Sequence, residues 1–432
     1  MTHIKIMKRL IENGFKAYIV GGFVRDSLLG IPNNDIDLTT NATPEQVMAL
    51  FPKTVPTGIK HGTVVVIENG EEFEITTFRQ DGEYTDGRRP DTVLFSTSIT
   101  DDLSRRDLTI NAMAMDINGN IIDPFNGRED LKNGIIRAVG EPKKRFTEDA
   151  LRILRAFRFS ARFGFGIEPN TLKAMTATKE GLRKISKERT SSEITKILLT
   201  DNIENTFKLM EETGVLEIIL PDISKMVGVT QNHPFHIWDL FTHTLKSVEN
   251  IDKDIVLRWA MLLHDVGKVD TKIIDENNVD RFHGHAKKSA EIADKVLTEL
   301  KFDNSTKNVI IELVEQHDNL ILPESKYVRR AIARLNIDLD LLLQVQTADT
   351  LAQNPAATKD KLDSINRIKK IMKEEGEKIT LKDLAVNGND LMNLGLKGKQ
   401  IGDTLNHLLE MILDDPSNNN KEHLLREITT IK

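Results

Sequence analysis

Two aspartates one residue apart, Asp35 and Asp37 in "NNDIDLTT", follow a glycine pair, Gly21 and Gly22, that closes the apolar run "AYIV". On an extended backbone alternate side chains share a face, so the two carboxylates project together while Ile36 and Leu38 turn the other way. Like charges so placed repel unless a divalent cation lies between them, and Mg2+ takes carboxylate oxygens readily. Glycines after a strand leave backbone N–H groups free for a phosphate, and "FVRDSLL" offers a helix start with Arg25 as a fixed cation. A phosphate cradle followed by metal-binding carboxylates is what phosphoryl or nucleotidyl transfer requires. Glu74, on the returning strand of a downstream hairpin, is a candidate third carboxylate.

Further along, "LSRRDLTINAMA" gathers Arg105, Arg106, Asp107 and Asn111 before a small apolar run, and "TEDALRILRAFRF" puts Asp149 and Arg152 three apart on a helix. An aspartate accepts from an exocyclic amine and an arginine donates to the ring nitrogen beside it, an edge that cytosine and adenine share and uracil and guanine reverse. A second set lies beyond residue 240: His243, His264-Asp265 at the end of the apolar run "RWAMLL", His283 and His285, His317, and Asp349. Imidazoles with carboxylates suit a divalent transition metal, and one aspartate can bridge two ions.

These residues need elements to place them. The 432-residue chain, 39% hydrophobic and 29% charged, is long enough for several domains with real cores. It has no cysteine, which excludes disulfides and thiolate metal sites and suits a reducing, cytoplasmic setting. No apolar run approaches a membrane span, and "MTHIKIMKRLIENGFKA" reads as an amphipathic helix rather than a secretory signal. Nothing calls for a membrane or an obligatory protein partner. Net charge is −7 overall, yet residues 141–196 carry 14 Lys or Arg against 7 Asp or Glu, a local basic surface suited to RNA. Thr43-Pro44-Glu45-Gln46 is a helix start, and Asn69-Gly70 in "TVVVIENGEEFEITTFR" makes a hairpin with Glu72, Glu74 and Thr76 on one face. Residues 80–91, "QDGEYTDGRRPD", read as a loop, and from 145 onward the periodicity is helical.

In this order "GGFVRD", "DID", "FEITTFR", "RRDLTINAMA", "IIDPFNGREDL" and "EDALRILRAFRF" resemble the class II tRNA nucleotidyltransferases, the CCA-adding enzymes related to bacterial poly(A) polymerases. The resemblance spans residues 18 to 160. It implies an α+β fold: a nucleotidyltransferase head with a mixed β-sheet and helices (1–140), then an all-α neck (141–225), a helical metal body (226–355) and a helical tail (356–432). It implies that Asp35 and Asp37 hold Mg2+, and that Gly22 and Arg25 receive the triphosphate. Arg106, Asp107 and Asn111 would meet the nucleotide, with Asp107 at the ribose; Asp149 and Arg152 would read the base, with Glu148 and Arg155 beside them. CTP, ATP and the 3′ acceptor end of tRNA are the implied substrates. Family enzymes that stop after two cytidines have a shorter loop where this chain keeps 80–91, which favours complete CCA addition.

The second set resembles the HD phosphohydrolase superfamily, with His243, His264, Asp265 and Asp349 as the basic metal set. His285 and His317 match the extra ligands of two-metal members, and His283 rivals His285. Sister activities remain as alternatives: a poly(A) polymerase, disfavoured because the last 20 residues lack a basic extension; a CC- or A-adding enzyme; or an HD phosphodiesterase whose head only binds RNA.

Overall fold

The amphipathic start folds as α1 (Thr2–Glu12), burying Ile6, Met7 and Leu10. The structure is a computed structural model that describes residues 1–82, 92–376 and 378–431. Two units, Met1–Ser224 and Lys225–Lys432, each enclose their own core.

In the first unit α1 is followed by β1 (Ala17–Val20), α2 (Gly22–Leu28), β2 (Asp37–Thr40), α3 (Pro44–Leu50), β3 (Thr54–Gly58), β4 (Thr63–Glu68) and β5 (Glu71–Thr77). The Thr43 cap forms as its sequence dictates: Gln46 N donates to Thr43 Oγ1 and Thr43 N to Gln46 Oε1. Asn69 and Gly70 take φ of 54° and 81°, the left-handed pair a type I′ turn demands. Two short strands, β6 (Arg79–Asp81) and β7 (Val93–Phe95), pair across the 80–91 loop, of which 83–91 lie outside the described residues. Then come α4 (Ile99–Ser104), β8 (Ala114–Met115), β9 (Ile121–Ile122) and α5 (Gly127–Asn133).

The seven-stranded sheet has the order β3-β4-β5-β2-β1-β8-β9, and its centre is mixed: β2 runs antiparallel to β1 and parallel to β5. That register brings the candidate site together. Val20, the residue before the glycine pair, lies opposite Asp37, while Leu38 lies opposite Ile75, so Asp37 and Glu74 are neighbours across the two strands.

Beyond the sheet the unit is helical apart from β10 (Ile135–Ile136) and β11 (Gly166–Ile167), which pair in parallel. Its main helices are α6 (Pro142–Glu148), α7 (Leu151–Phe163), α8 (Pro169–Thr178) and α9 (Lys187–Leu198). Apolar Leu151, Ile153, Leu154, Phe157 and Ala161 of α7 are buried, which turns Arg152, Arg155, Arg158 and Arg162 toward the open side.

The second unit is built around the helix Ile255–Leu263, apolar except for Arg258 and buried from Leu257 onward. A helix of that kind is a core element, and it delivers His264 and Asp265 at its C-terminal end. Helices Leu240–Glu249, His285–Glu299, Asn304–Gln316 and Leu339–Leu351 follow its course, with Pro355–Glu375 after them. A separate cluster of Leu391, Leu408, Ile412, Leu424 and Ile428 closes the C-terminal helices, including the helix predicted in "IGDTLNHLLEMIL". No helix among the described residues is long and apolar enough to cross a membrane.

Candidate active site and metal centre

The head cleft, about 1010 Å³, is bordered by the glycine turn, Asp35, Asp37, Arg106 and the arginine face of α7. Gly21 sits at φ 72°, and a Cβ there would come within 3.2 Å of Arg106 Nη1 and 3.8 Å of Asp37 Oδ2. Glycine is thus required both for the turn and for the approach of the arginine to the aspartate. Asp37 is pushed up to about 6, first by burial and then by the charges of Asp35 and Glu74, which the cation of Arg106 only partly offsets. Glu74 therefore belongs to the electrostatics of the pair. Asp35, contrary to the alternating-strand argument, is not on the strand: β2 begins at Asp37, and Asp35 is exposed in the preceding turn, its N–H donating to Asn33 Oδ1 at 2.8 Å. An Asx turn, not strand alternation, brings the two acids to one side.

Several cleft residues are held by partners that sequence spacing does not reveal. Arg25 is not a free cation: it is buried, bonded to Asp26 at 2.7 Å and to Asn111 Oδ1 at 2.6 Å, with its guanidinium 4.8 Å from the Phe159 ring centroid. Asp107 accepts from Arg155 Nε at 2.6 Å and from Asn111 Nδ2 at 3.2 Å. Burial opposes its charge, yet Arg155 and Asn111 hold it well below the usual carboxylate range. Fully buried Asp102 accepts from Arg105 at 2.7 Å and from Arg106 at 3.4 Å, which aims both arginines.

Asp149 and Arg152 do not form an intrahelical pair. Asp149 lies in the break between α6 and α7, at φ −147°, where its Oδ1 accepts from Leu151 N and its Oδ2 from Arg189 at 2.7 Å. Arg152 instead binds Glu148 at 2.7 Å and donates to the Arg105 carbonyl at 3.1 Å. Both side chains still border the same cleft. Sequence reading missed Asp26, Asp102 and Arg189; the two acids carried a signal, Asp26 directly following Arg25 and Asp102 lying three and four residues before Arg105 and Arg106, whereas Arg189 carried none.

In the second unit the candidate ligands converge. Among the described residues, His243, His264 and Asp349 form one group and Asp265, His285 and His317 another, each with ligand atoms within 4.8 Å of one another. Asp265 spans both, its Oδ2 3.2 Å from His264 Nε2 and its Oδ1 3.3 Å from His285 Nε2. His264, His285 and His317 each present Nδ1 to a backbone carbonyl at 2.7 or 2.8 Å, which aims Nε2 inward, as metal-binding imidazoles require. Nε2 of His243 and His264 and Oδ1 of Asp265 are buried with no hydrogen-bond partner, the condition a divalent ion would relieve. Burial lowers His264, but Asp265 and Asp349 outweigh it and push the imidazole up to about 10. A cation bound at His264 would displace that proton. His283 borders the adjoining cavity but is absent from both groups, so the structure brings His285 and not His283 into the cluster. Lys268 lies 2.7 Å from Asp265, and Lys361 of the helix Pro355–Glu375 lies 3.2 Å from Asp349, so the segment after residue 356 contributes to this site.

The head acids do not close into such a group. Mg2+ commonly uses one or two carboxylates together with substrate phosphates, so an open acidic pair is the expected protein half of that site.

Comparison with known proteins agrees with this division. The "Poly A polymerase head domain" model matches residues 17–137, "Probable RNA and SrmB- binding site of polymerase A" matches 164–226, and "HD domain" matches 231–353. A CCA-adding enzyme of Lactobacillus helveticus is 35% identical over 418 residues, covering 96% of this chain and 94% of its own. The chain belongs to the CCA-adding enzymes. Another member, from Geobacillus stearothermophilus, is 43% identical over 282 residues, covering 63% of this chain and 67% of its own. The solved structure of the Bacillus stearothermophilus CCA-adding enzyme in complex with CTP superposes with a TM-score of 0.73 at 31% identity, covering 99% of this chain and 97% of that one. As a CCA-adding enzyme the chain is a nucleotidyltransferase with a mixed-sheet head and an HD-type helical body.

Two consequences can be measured directly. If Asp37 is a cation ligand, a proton held up to about 6 competes with the ion, and the apparent Mg2+ affinity of nucleotide addition should be flat above about pH 7. Below pH 6 it should weaken by roughly tenfold per unit, since only the deprotonated acid binds. Magnesium titrations at pH 5.5 and 7.5 check this, and equal half-saturation at both would contradict it. Separately, a Cβ at Gly267 would lie 2.5 Å from Ser289 N and 2.6 Å from the His285 carbonyl, both backbone atoms. Gly267→Ala should therefore cost about 1–3 kcal/mol and, by displacing the helix that begins at His285, lower the metal content measured by elemental analysis.

Proposed function

We propose that this chain adds C, C and A to the 3′ end of tRNA in the head cleft, taking CTP and then ATP, in the cytoplasm. The observation that carries the reading is the repulsion focused on Asp37 by Asp35 and Glu74, beside Arg106 and a glycine turn shaped to admit it. Mg2+ held by Asp35 and Asp37 would neutralise triphosphate charge and acidify the terminal 3′-hydroxyl of the primer. Gly22 and Arg106 then seat the phosphates, while Arg25 supports the turn through Asp26 and Asn111. Asp107, held by Arg155 and Asn111, presents its remaining lone pairs to the ribose. Asp149 keeps an unused lone pair on each oxygen and accepts the base amine, and Arg152 donates to the ring nitrogen. Uracil and guanine would set a carbonyl acceptor against the Asp149 carboxylate and a ring N–H donor against Arg152, and are refused.

The test supplies the protein with Mg2+ and tRNAs ending before CCA, after C or after CC, together with CTP and ATP, and sequences the 3′ ends. Addition that stops at CCA supports the reading; CC alone, A alone or a long A tail assigns a sister activity.

The converging ligands of the second unit favour a further reading for that unit: a two-metal phosphohydrolase in which His243, His264, Asp265, His285, His317 and Asp349 hold divalent transition metals. Lys268 and Lys361 are placed for the charge of a phosphate ester such as a 2′,3′-cyclic or terminal phosphate on a damaged tRNA end. Release of phosphate from such ends, dependent on added metal, tests it.

A further inference from the structure

Asp149 and Arg152 are anchored from different directions. The hydrogen bonds described for the Arg152 guanidinium all run to the neighbourhood of α4 and α6: Glu148, the Arg145 carbonyl and the Arg105 carbonyl. Asp149 is different. Besides the local bond from Leu151 N to its Oδ1 at 2.9 Å, its carboxylate is held at Oδ2 by Arg189, forty positions later on α9, at 2.7 Å. The same helix grips α7 one turn further on, where Glu193 accepts from Arg158 at 3.0 Å. Arg189 and Asp149 both border the head cleft and both are largely shielded, with side-chain exposures of 23% and 13%. Within the break the Leu151 N–H fixes Oδ1 of Asp149 but gives Oδ2 no local partner. A charge-assisted bond from a rigid neighbouring helix supplies what the break lacks.

We propose that Arg189 is the positioning residue for base selection: it holds Oδ2 of Asp149 so that the carboxylate faces the incoming base, and α9 thereby sets the accuracy of the head cleft. The inference rests on the reading of Asp149 and Arg152 as the base-contacting pair. The hydrogen bond described for the Arg189 side chain goes to Asp149, and Arg189 is not among the charges that act on Asp37, so its loss should change which nucleotide is chosen more than whether the reaction proceeds.

The experiment measures kcat and KM of the full chain with Mg2+. CTP and UTP are compared on tRNA ending before CCA, and ATP and GTP on tRNA ending in CC, for wild type, Arg189→Met, Arg189→Lys, Asp149→Ala and the Arg189→Met/Asp149→Ala double variant. Arg189→Met should lower the CTP-over-UTP and ATP-over-GTP preferences at least tenfold, the scale of one charged hydrogen bond. Arg189→Lys, which keeps the charge and guards against a folding defect, should fall between it and wild type. In the Asp149→Ala background Arg189→Met should cause no further loss of preference, because its effect runs through that carboxylate. An equal fall for all four nucleotides with preferences unchanged would assign Arg189 a merely structural role and overturn the proposal. An additive loss in the double variant would overturn it too. If Asp149→Ala itself leaves both preferences intact, the base-contacting reading fails first, an outcome distinct from failure of Arg189 alone.

Discussion

Asp37→Asn is expected to reduce nucleotide addition by about 10³-fold while leaving the melting temperature unchanged or slightly raised. Asparagine keeps the shape of the side chain at the start of β2 and removes its charge. On the proposed role what is lost is a metal-ligating carboxylate, and the charge stabilisation a bound divalent ion supplies is several kcal/mol, of which about 4 kcal/mol is a thousandfold in rate. What is gained is relief of repulsion, because Asp37 in the metal-free protein is raised to about 6 by burial and by the charges of Asp35 and Glu74. The opposite signs of the two effects make the test specific. A structural aspartate would lose stability and activity together. A metal ligand loses activity and keeps or gains stability. Thermal melts without Mg2+, beside single-turnover addition of CMP to tRNA ending before CCA, separate the two, and residual addition within tenfold of wild type would remove Asp37 from the catalytic machinery.

Asp265→Ala should have the second large effect, on the other unit. Its two oxygens face different ligand groups, Oδ2 toward His243 and His264 at 3.5 and 3.2 Å and Oδ1 toward His285 and His317 at 3.3 and 3.6 Å. If the two groups each hold an ion as proposed, one substitution removes a ligand from both positions, and the metal bound per chain should fall to near zero by elemental analysis, whereas His317→Ala should spare the first position. The variant should also melt lower. Lys268, buried and 2.7 Å from Asp265, is left without its anion, and an uncompensated buried charge costs about 3–5 kcal/mol. Addition of CCA should remain within about twofold of wild type, since the head cleft is lined wholly by residues of the first unit. A large loss of nucleotide addition would show that the two sites are coupled.

Much of the active site is legible in the linear chain because its chemistry is local. Gly21-Gly22 and Asp35-Ile36-Asp37 announce a phosphate cradle and an acidic pair, the Asn69-Gly70 turn sets a hairpin that carries Glu74, and the apolar run before His264-Asp265 announces a buried helix with polar residues at its end. Each signal rests on a steric or periodic rule that acts within a few residues: positive φ at glycine, alternation on strands, and 3.6-residue repeats on helices. Local rules also misplace residues when the backbone bends. Asp35 is in an Asx turn before the strand, and Asp149 is in a helix break, so neither obeys the spacing argument that first drew attention to it.

What the tertiary structure alone decided is partnership across distance. The register of β1, β2 and β5 puts the glycine turn, Asp37 and Glu74 side by side. Long-range pairings then commit groups that looked free: Arg25 to Asn111 and Asp107 to Arg155. Arg189 meets Asp149 because α9 packs beside α7, and His285 rather than His283 joins the metal groups because its helix begins at that residue. The physical reason is the same in each case. A side chain's type and its neighbours in sequence limit what it can do, but a buried charge must be paired somewhere, and only the packed fold says with what.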